Sequence, residues 1–212
     1  MILLWVYATI LIMYSNFEPT TEKFLNSSQV LFIHIPKTGG NSIKQTNFFK
    51  SCSYFGHTYI RDVKHANMYK YSFAIVRNPY DRLVSAYFYL KKGGMPNNSY
   101  DLQMQKRLKK YTYFKDFVRD LKLFVNDTHF KPQHMFVCDS GGRIIVNHIL
   151  KVENIDNEFS QLLRSKLLPD EKLHTINASK HDNYTRYYDD NEIKKRVYTI
   201  YERDFELFDY HM

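Results

Sequence analysis

Residues 30–49, VLFIHIPKTGGNSIKQTNFF, decide the fold, because they combine a buried strand, a tight loop and the start of a helix. The apolar, partly β-branched run at their beginning has the length of a buried strand. Pro36 ends this strand, since proline has no N–H to donate to a sheet. Gly39 and Gly40 allow the chain to turn sharply and to approach a ligand closely.

The second half of this stretch predicts an anion site. Asn41 or Ser42 is expected to cap the helix that follows the loop. A strand that enters a helix through such a loop directs several backbone N–H groups at one spot, which attracts anions. Lys37 adds a mobile positive charge suited to phosphate or sulfate. The alternative is an ordinary strand–helix turn that happens to contain two glycines.

A second strand–helix unit follows at residues 71–91. Residues 71–77, YSFAIVR, form an apolar strand, and residues 80–91 have apolar side chains at helical spacing. Arg77 therefore lies at the carboxyl end of a strand, where parallel sheets bind ligands. Ser85 lies about two turns into the helix. Taken singly, Arg77 could pair with Asp81, and Ser85 could be a surface serine.

The remaining pattern completes an α/β fold. Helices are predicted at residues 113–124, 156–167 and 191–208, and a third strand at 144–152. A long polar loop is expected at 169–190. Because strands alternate with helices and no repeat or second core is visible, we expect one domain with a central, mainly parallel sheet flanked by helices.

Length and charge restrict the partners. The chain has 212 residues and a net charge of +8, so one domain with an anionic partner is expected. The candidates are a nucleotide, an acidic glycan, nucleic acid or a membrane surface. No nucleic-acid motif accompanies the charge, so nucleic acid is not expected. The basic patch at 105–110, QKRLKK, is usually a solvated helix face, but it could border a groove for an acidic polymer.

The N-terminus is apolar over residues 1–14, and the run to residue 17 barely reaches the length of a membrane span. It could be a short signal-anchor, a signal peptide or a buried element. We favour the anchor at 1–17, followed by a polar stem at 18–29 and a domain at 30–212. Glycosylation sequons, compatible with a secretory lumen, occur at Asn26, Asn97, Asn126, Asn177 and Asn183.

Cysteine and histidine patterns are less decisive. Cys52 and Cys138 could form one disulfide or be two buried thiols, and no Cys/His cluster has the spacing of a zinc site. His57 lies among aromatic residues shortly after the glycine-containing loop. A lone histidine is more often packed or exposed than catalytic, but this position favours a histidine that faces the anion site and acts as a base.

Two motifs together resemble a known family. The segments FIHIPKTGGNS (32–42) and FAIVRNPYDRLVSAY (73–87) closely resemble sulfotransferases that use 3′-phosphoadenosine 5′-phosphosulfate (PAPS), especially the membrane-associated, Golgi-type carbohydrate branch, sulfotransferase family 2. The later segments KPQHMF, KVEN, LHTINASK and YERDFELFDY extend the resemblance to the C-terminus. Relatives often carry IGRFEN where this chain has HILKVEN (148–154), so Lys151 stands where an arginine is frequent. The resemblance therefore implies no cofactor contact for Lys151.

This resemblance implies a P-loop-NTPase-like sulfotransferase fold at residues 30–212, with PAPS as co-substrate. The 5′-phosphosulfate would be held by Lys37, Thr38, Gly39, Gly40, Asn41 and Ser42. Arg77 and Ser85 would bind the 3′-phosphate. Asn177, Ser179 and Lys180 would close over the nucleotide.

The catalytic roles also follow from the resemblance. His57 would be the base, as in uronyl-type glycan sulfotransferases, with Asp62 and Glu153 as runners-up. Lys37 would stabilise the leaving oxygen. No metal is expected, because sulfate carries less charge than a triphosphate tail and the sequence has no carboxylate cluster to hold one.

Other functions predict different features. A P-loop NTPase requires a lysine after the glycines, whereas Lys37 and Thr38 precede them. The positive charge favours an acidic glycan such as a glycosaminoglycan as the acceptor; a protein tyrosine hydroxyl is the alternative. A non-catalytic module that binds acidic glycans would not need Arg77 and Ser85 beside the loop. The family implies a Golgi membrane location, with one type II span and a lumenal domain.

Overall fold

The computed structural model describes residues 29–166, 168–173 and 182–212, and its centre is a four-stranded sheet. The strands are β1 (Val30–Ile33), β2 (Cys52–Ser53), β3 (Tyr71–Val76) and β4 (His148–Lys151). Their order is β2-β1-β3-β4, and all neighbours are parallel. The predicted α/β fold with a parallel sheet is therefore confirmed. Because the strands are parallel, their carboxyl ends all lie at one edge of the sheet.

Helices cover the sheet and continue beyond it. They are α1 (Gly40–Ile43), α2 (Asn47–Lys50), α3 (Pro79–Lys91), α4 (Ser99–Leu108), α5 (Phe114–Arg119), α6 (His134–Val137), α7 (Ile155–Ser165) and α8 (Asn191–Leu207). Short 3₁₀ turns occupy Ile60–Asp62, Ala66–Met68, Leu121–Leu123, Val152–Asn154 and Tyr184–Tyr187.

Alternation along the central strands gives the sheet two apolar faces. Phe32 packs on one face in a cluster with Phe159 of α7. Ile33 points to the other face, in a cluster with Phe136 of α6. A third cluster, centred on aromatic residues such as Phe117, joins α3, α4, α5 and α8. Burial on both faces explains why the strands are continuous apolar runs.

The helix after the glycine loop (residues 37–42) differs from the prediction. Gly39 occupies the N-cap position without a side-chain hydrogen bond, and Asn41 and Ser42 lie inside α1. The predicted cap at either residue is therefore wrong. The chain turns again and starts α2, where the Thr46 hydroxyl accepts a hydrogen bond from the N–H of Phe49 at 3.1 Å. The helix predicted after the loop is thus two single turns, α1 and α2.

Three other elements differ in extent. The strand predicted at 144–152 is shorter, because the Asn147 side chain accepts the N–H of Ser72 at 2.7 Å and β4 begins after it. The helix predicted at 113–124 breaks at Asp120, where φ is −97° and ψ is 8°. The glycines and the proline of residues 91–100 predict a loop there, but α4 already starts at Ser99, and the Asn98 side chain caps it.

Cys52 and Cys138 are free thiols. They belong to clusters on opposite faces of the sheet, which rules out the disulfide that the sequence left open. Burial raises the pKa of both thiols, that of Cys52 to about 12. Neither is a reactive thiolate near neutral pH.

The predicted anchor (residues 1–17) and all but the last residue of the predicted stem (18–29) lie outside the described residues. No helix in the described part of the chain has the length and apolar character needed to cross a membrane.

Candidate active site

A cavity of about 610 Å³ opens beside the glycine loop and α3, past the carboxyl ends of β1 and β3. Most of the predicted site residues line it, namely Lys37, Gly39, Gly40, Asn41, Ser42, His57, Arg77 and Ser85. Thr38 does not line the cavity, since it is fully buried and its hydroxyl donates to the Ile35 carbonyl at 2.9 Å. Asn177, Ser179 and Lys180 lie outside the described residues.

Both glycines of the loop have a steric reason to be glycine. At Gly39 the backbone is left-handed, with φ of 81°, and an added Cβ would lie 2.8 Å from Val152. At Gly40 an added Cβ would lie 2.3 Å from the His34 ring. The loop backbone is thus exposed to the cavity on one side and tightly packed on the other, as close approach to a ligand requires.

Lys37 is held in an unusual position. Its backbone is left-handed, with φ of 68°, which is uncommon for a residue with a side chain. Its ammonium group lies 3.9 Å from the centroid of the Tyr89 ring, a cation–π contact. Burial, and then the nearby positive charge of Arg77, lowers the pKa of Lys37 to about 8. Lys37 is thus a cation whose charge is poorly neutralised, which favours an incoming anion.

Arg77 connects the two motifs. Its Nε donates to Asp81 Oδ2 at 2.8 Å, so the ion pair considered from the sequence is present. Its Nη1 also donates to the Lys37 carbonyl at 3.2 Å. A guanidinium has five N–H donors, so these two bonds leave donors for a ligand in the cavity.

Gln133 and Asp204 fix the backbone of Arg77. The Gln133 side chain accepts the N–H of Arg77 at 2.9 Å and donates to its carbonyl at 2.8 Å. Gln133 and Asp204 of α8 are both fully buried. Asp204 accepts hydrogen bonds from the N–H groups of Gln133 and His134 at 2.6 and 2.9 Å. These positioning roles were not predicted from the sequence, because they depend on contacts between residues 56 and 71 positions apart.

His57 has a defined tautomer. Its Nδ1 lies 2.9 Å from the backbone carbonyl of His34, and a carbonyl oxygen can only accept. The proton of neutral His57 is therefore on Nδ1, and Nε2 carries a lone pair. Burial lowers the pKa of His57 below its ordinary value. A neutral imidazole with a free Nε2 in a cavity is the form that a general base needs.

The two runner-up bases are less suitable. Asp62 is exposed, lies 4.0 Å from Arg61 and does not line the cavity. Glu153 lines the cavity, but its oxygens accept the N–H of Asn78 at 2.6 Å and the hydroxyl of Tyr210 at 2.8 Å. Each of its two oxygens thus already accepts a hydrogen bond, one of them from the backbone between β3 and α3.

Two further histidines, His34 and His129, belong to this site, and neither was predicted from the sequence. His34 follows β1, and its ring lies 4.6 Å from that of His57; burial lowers its pKa well below the ordinary value. His129 also lines the cavity. The signal for His34 was present inside the opening stretch, where a polar residue interrupts an apolar strand.

Within residues 29–166, 168–173 and 182–212, no group of three or more histidine, cysteine or acidic side chains is arranged to hold a metal ion.

The chain matches a protein-family model. The model described as "Sulfotransferase family" matches residues 24–211, which is most of the chain. Searches of curated proteins and of solved structures found no match.

Proposed function

The chain belongs to the sulfotransferase family, which transfers sulfuryl groups, and we propose that it takes this group from PAPS and transfers it to a carbohydrate hydroxyl. The observation that carries the proposal is one cavity lined by a neutral histidine with an unprotonated Nε2, a half-buried lysine and an arginine. These are His57, Lys37 and Arg77. Together they supply a base and two cations for a donor that is anionic at both ends.

The cavity suits the donor in size and charge. Its volume of about 610 Å³ is in the range of small-molecule sites. The glycine loop, with Lys37, would hold the 5′-phosphosulfate. Arg77 and Ser85, which also line the cavity, would hold the 3′-phosphate. Asn177, Ser179 and Lys180 are proposed from the resemblance alone to close over the nucleotide.

The proposed chemistry resembles phosphoryl transfer. PAPS supplies a sulfur atom, and a new S–O bond to the acceptor oxygen forms as the bond to the bridging phosphate oxygen breaks. His57 Nε2 takes the proton of the acceptor hydroxyl. Lys37 neutralises the negative charge on the departing oxygen. The sign of its charge and its place on the glycine loop fit this role.

An acidic glycan is the proposed acceptor. The protein carries a net charge of +8, and Lys44 lines the cavity near Tyr54, to whose hydroxyl it donates at 2.7 Å. A positively charged approach raises the local concentration of an acidic substrate. The alternative acceptor is a tyrosine hydroxyl on a protein. The alternative function is the binding of acidic glycans without catalysis.

A panel of acceptors separates these possibilities. Donor labelled in the sulfuryl group is incubated with the full chain and with desulfated glycosaminoglycans, neutral oligosaccharides and a tyrosine peptide. We expect label on an acidic glycan, with a sugar–sulfate linkage in the product. Label only on the peptide would exclude the carbohydrate acceptor. No label on any acceptor, with no rise in melting temperature from adenosine 3′,5′-bisphosphate, would refute the enzyme.

We also propose a location in the Golgi membrane, with residues 1–17 as a type II anchor. The asparagines of the three sequons within the described residues, Asn97, Asn126 and Asn183, are all exposed and accessible to glycosylation. Endoglycosidase treatment of protein from a eukaryotic host tests this: a shift in mobility supports a lumenal domain, and an unmodified chain contradicts it.

A further inference from the structure

His129 is a buried histidine of the cavity that the reaction described above does not use. It is 9% exposed, and it lines the cavity. Its ring lies edge-to-face with that of His57, at 5.8 Å between centroids, and is stacked on that of Tyr89, at 5.4 Å. His129 thus contacts the proposed base on one side and, on the other, the ring that carries the Lys37 ammonium.

A buried guanidinium fixes this position. Arg82 donates from Nη2 to the His129 carbonyl at 3.3 Å and from Nε to the Pro36 carbonyl at 3.0 Å. One side chain therefore joins the backbone of His129 to the segment that leads into the glycine loop. Because both bonds are buried, the distance between His129 and the loop is firmly held.

The two ring nitrogens of His129 differ. Nδ1 is shut off from solvent and has no hydrogen-bond partner within the described residues. Nε2 is the nitrogen left to face the cavity that His129 lines. A neutral imidazole has one N–H, and a buried N–H without an acceptor is costly, so the proton is better placed on Nε2. This tautomer is the opposite of that of His57, so one histidine offers a lone pair and the other a donor.

The position between the two catalytic groups suggests what this donor contacts. In an in-line displacement, the base lies at the attacking oxygen and the lysine at the leaving oxygen. The equatorial sulfuryl oxygens lie between these two. We propose that His129 donates a hydrogen bond from Nε2–H to one of these equatorial oxygens and is a catalytic residue of the transfer. This inference rests on the proposed function.

The electrostatic surroundings keep His129 neutral. Burial, followed by the charges of His57, Lys37 and Arg82, lowers its pKa to about 3. His129 is then a neutral donor throughout the working pH range and does not compete with His57 as the base.

Three variants test the role in the full chain. His129→Leu removes the donor, His129→Gln can place an amide N–H near the position of Nε2, and His129→Asn carries the same amide but is too short. We expect kcat to fall about 100-fold in the leucine and asparagine variants, and the glutamine variant to recover at least a tenth of wild-type kcat. Affinity for adenosine 3′,5′-bisphosphate, which lacks the sulfuryl group, should stay within about twofold.

A second readout does not depend on turnover. In protein labelled with ¹⁵N-histidine, we expect the His129 resonances to show Nε2–H, and to shift with PAPS but not with the bisphosphate. A proton on Nδ1, or equal shifts with both nucleotides, would overturn the inference.

The kinetic outcomes also separate this inference from the proposed function. If the wild type transfers sulfate and the leucine variant is as active, the role of His129 is refuted while the function stands. If the wild type transfers nothing, the function and the inference fail together. If the leucine variant does not fold, the glutamine–asparagine comparison decides, and equal activities of these two contradict the role.

Discussion

At the scale of single residues, the proposed chemistry depends on which nitrogen of His57 carries the proton. The sequence placed His57 near the loop but could not give its tautomer, because the partner is a backbone carbonyl 23 positions earlier. The sequence predicted that Gly39 and Gly40 allow a sharp turn and close approach, and a Cβ at either position would clash with a neighbouring side chain. Thr38 was assigned to the ligand by resemblance, yet its hydroxyl serves the backbone and its side chain does not reach the cavity.

The pKa shifts of two site residues predict the pH profile. His57 must be neutral, and its pKa lies below the ordinary value, so kcat/KM should rise with pH only below about 6.5. Lys37 must be charged, and its pKa is about 8, so kcat/KM should fall above that pH. An anionic donor stabilises charged Lys37, so the alkaline limb of kcat should lie at higher pH than that of kcat/KM. A profile without an acidic limb, or coincident alkaline limbs, would speak against these assignments.

Replacing Arg77 should affect donor binding more than turnover. Arg77→Ala removes charged hydrogen bonds, so affinity for adenosine 3′,5′-bisphosphate should weaken about 10- to 100-fold. Calorimetric titration measures this directly. Arg143→Ala is the matched control, because Arg143 is exposed and pairs only with Asp139 in the described residues. An unchanged affinity in Arg77→Ala would remove Arg77 from the donor site.

At the scale of elements, the strands and long helices were predictable because their apolar spacing is regular. The differences arise where local contacts override this spacing. The Asn147 side chain accepts a hydrogen bond from Ser72, and β4 begins only after it. The Asn98 side chain caps α4 in a stretch where Gly93 and Gly94 predict a loop. The link from Asp204 through Gln133 to Arg77 was beyond prediction, because its members are far apart in the sequence.

This link gives a test at the level of elements. Gln133→Ala leaves the N–H and the carbonyl of Arg77 without their partners, which should cost about 2–4 kcal/mol of stability and weaken bisphosphate binding. Denaturant unfolding measures the stability, with Gln103→Ala on the exposed surface of α4 as the control. If Gln133→Ala and the control have the same free energy of unfolding, the link from Asp204 through Gln133 to Arg77 does not stabilise the fold.

At the scale of the whole molecule, the parallel sheet brings two separate motifs to one edge. The loop after β1 and the start of α3 are about 40 residues apart, yet Arg77 contacts the Lys37 carbonyl. The sequence predicted this meeting correctly, because adjacent strand–helix units place their carboxyl ends together. The net charge of +8, in contrast, predicts the sign of a partner but not its identity.

That charge leads to a prediction for the acceptor. If an acidic glycan is attracted by the whole surface, its KM should rise several-fold between about 50 and about 300 mM salt, because screening shortens the reach of the field. A neutral acceptor sugar should show a much smaller change. Steady-state kinetics at several salt concentrations compares the two, and equal salt dependence would argue against electrostatic selection of the acceptor.

We propose that sulfuryl transfer from PAPS occurs in the cavity lined by Lys37 and His57. The most direct test is the transfer of labelled sulfuryl group by the wild type, Lys37→Ala and His57→Ala, with His148→Ala, an exposed histidine of β4, as control. We predict transfer by the wild type and the control and a loss of at least about 100-fold in the other two variants, with bisphosphate affinity retained in His57→Ala. Near-wild-type transfer by Lys37→Ala or His57→Ala would contradict the account.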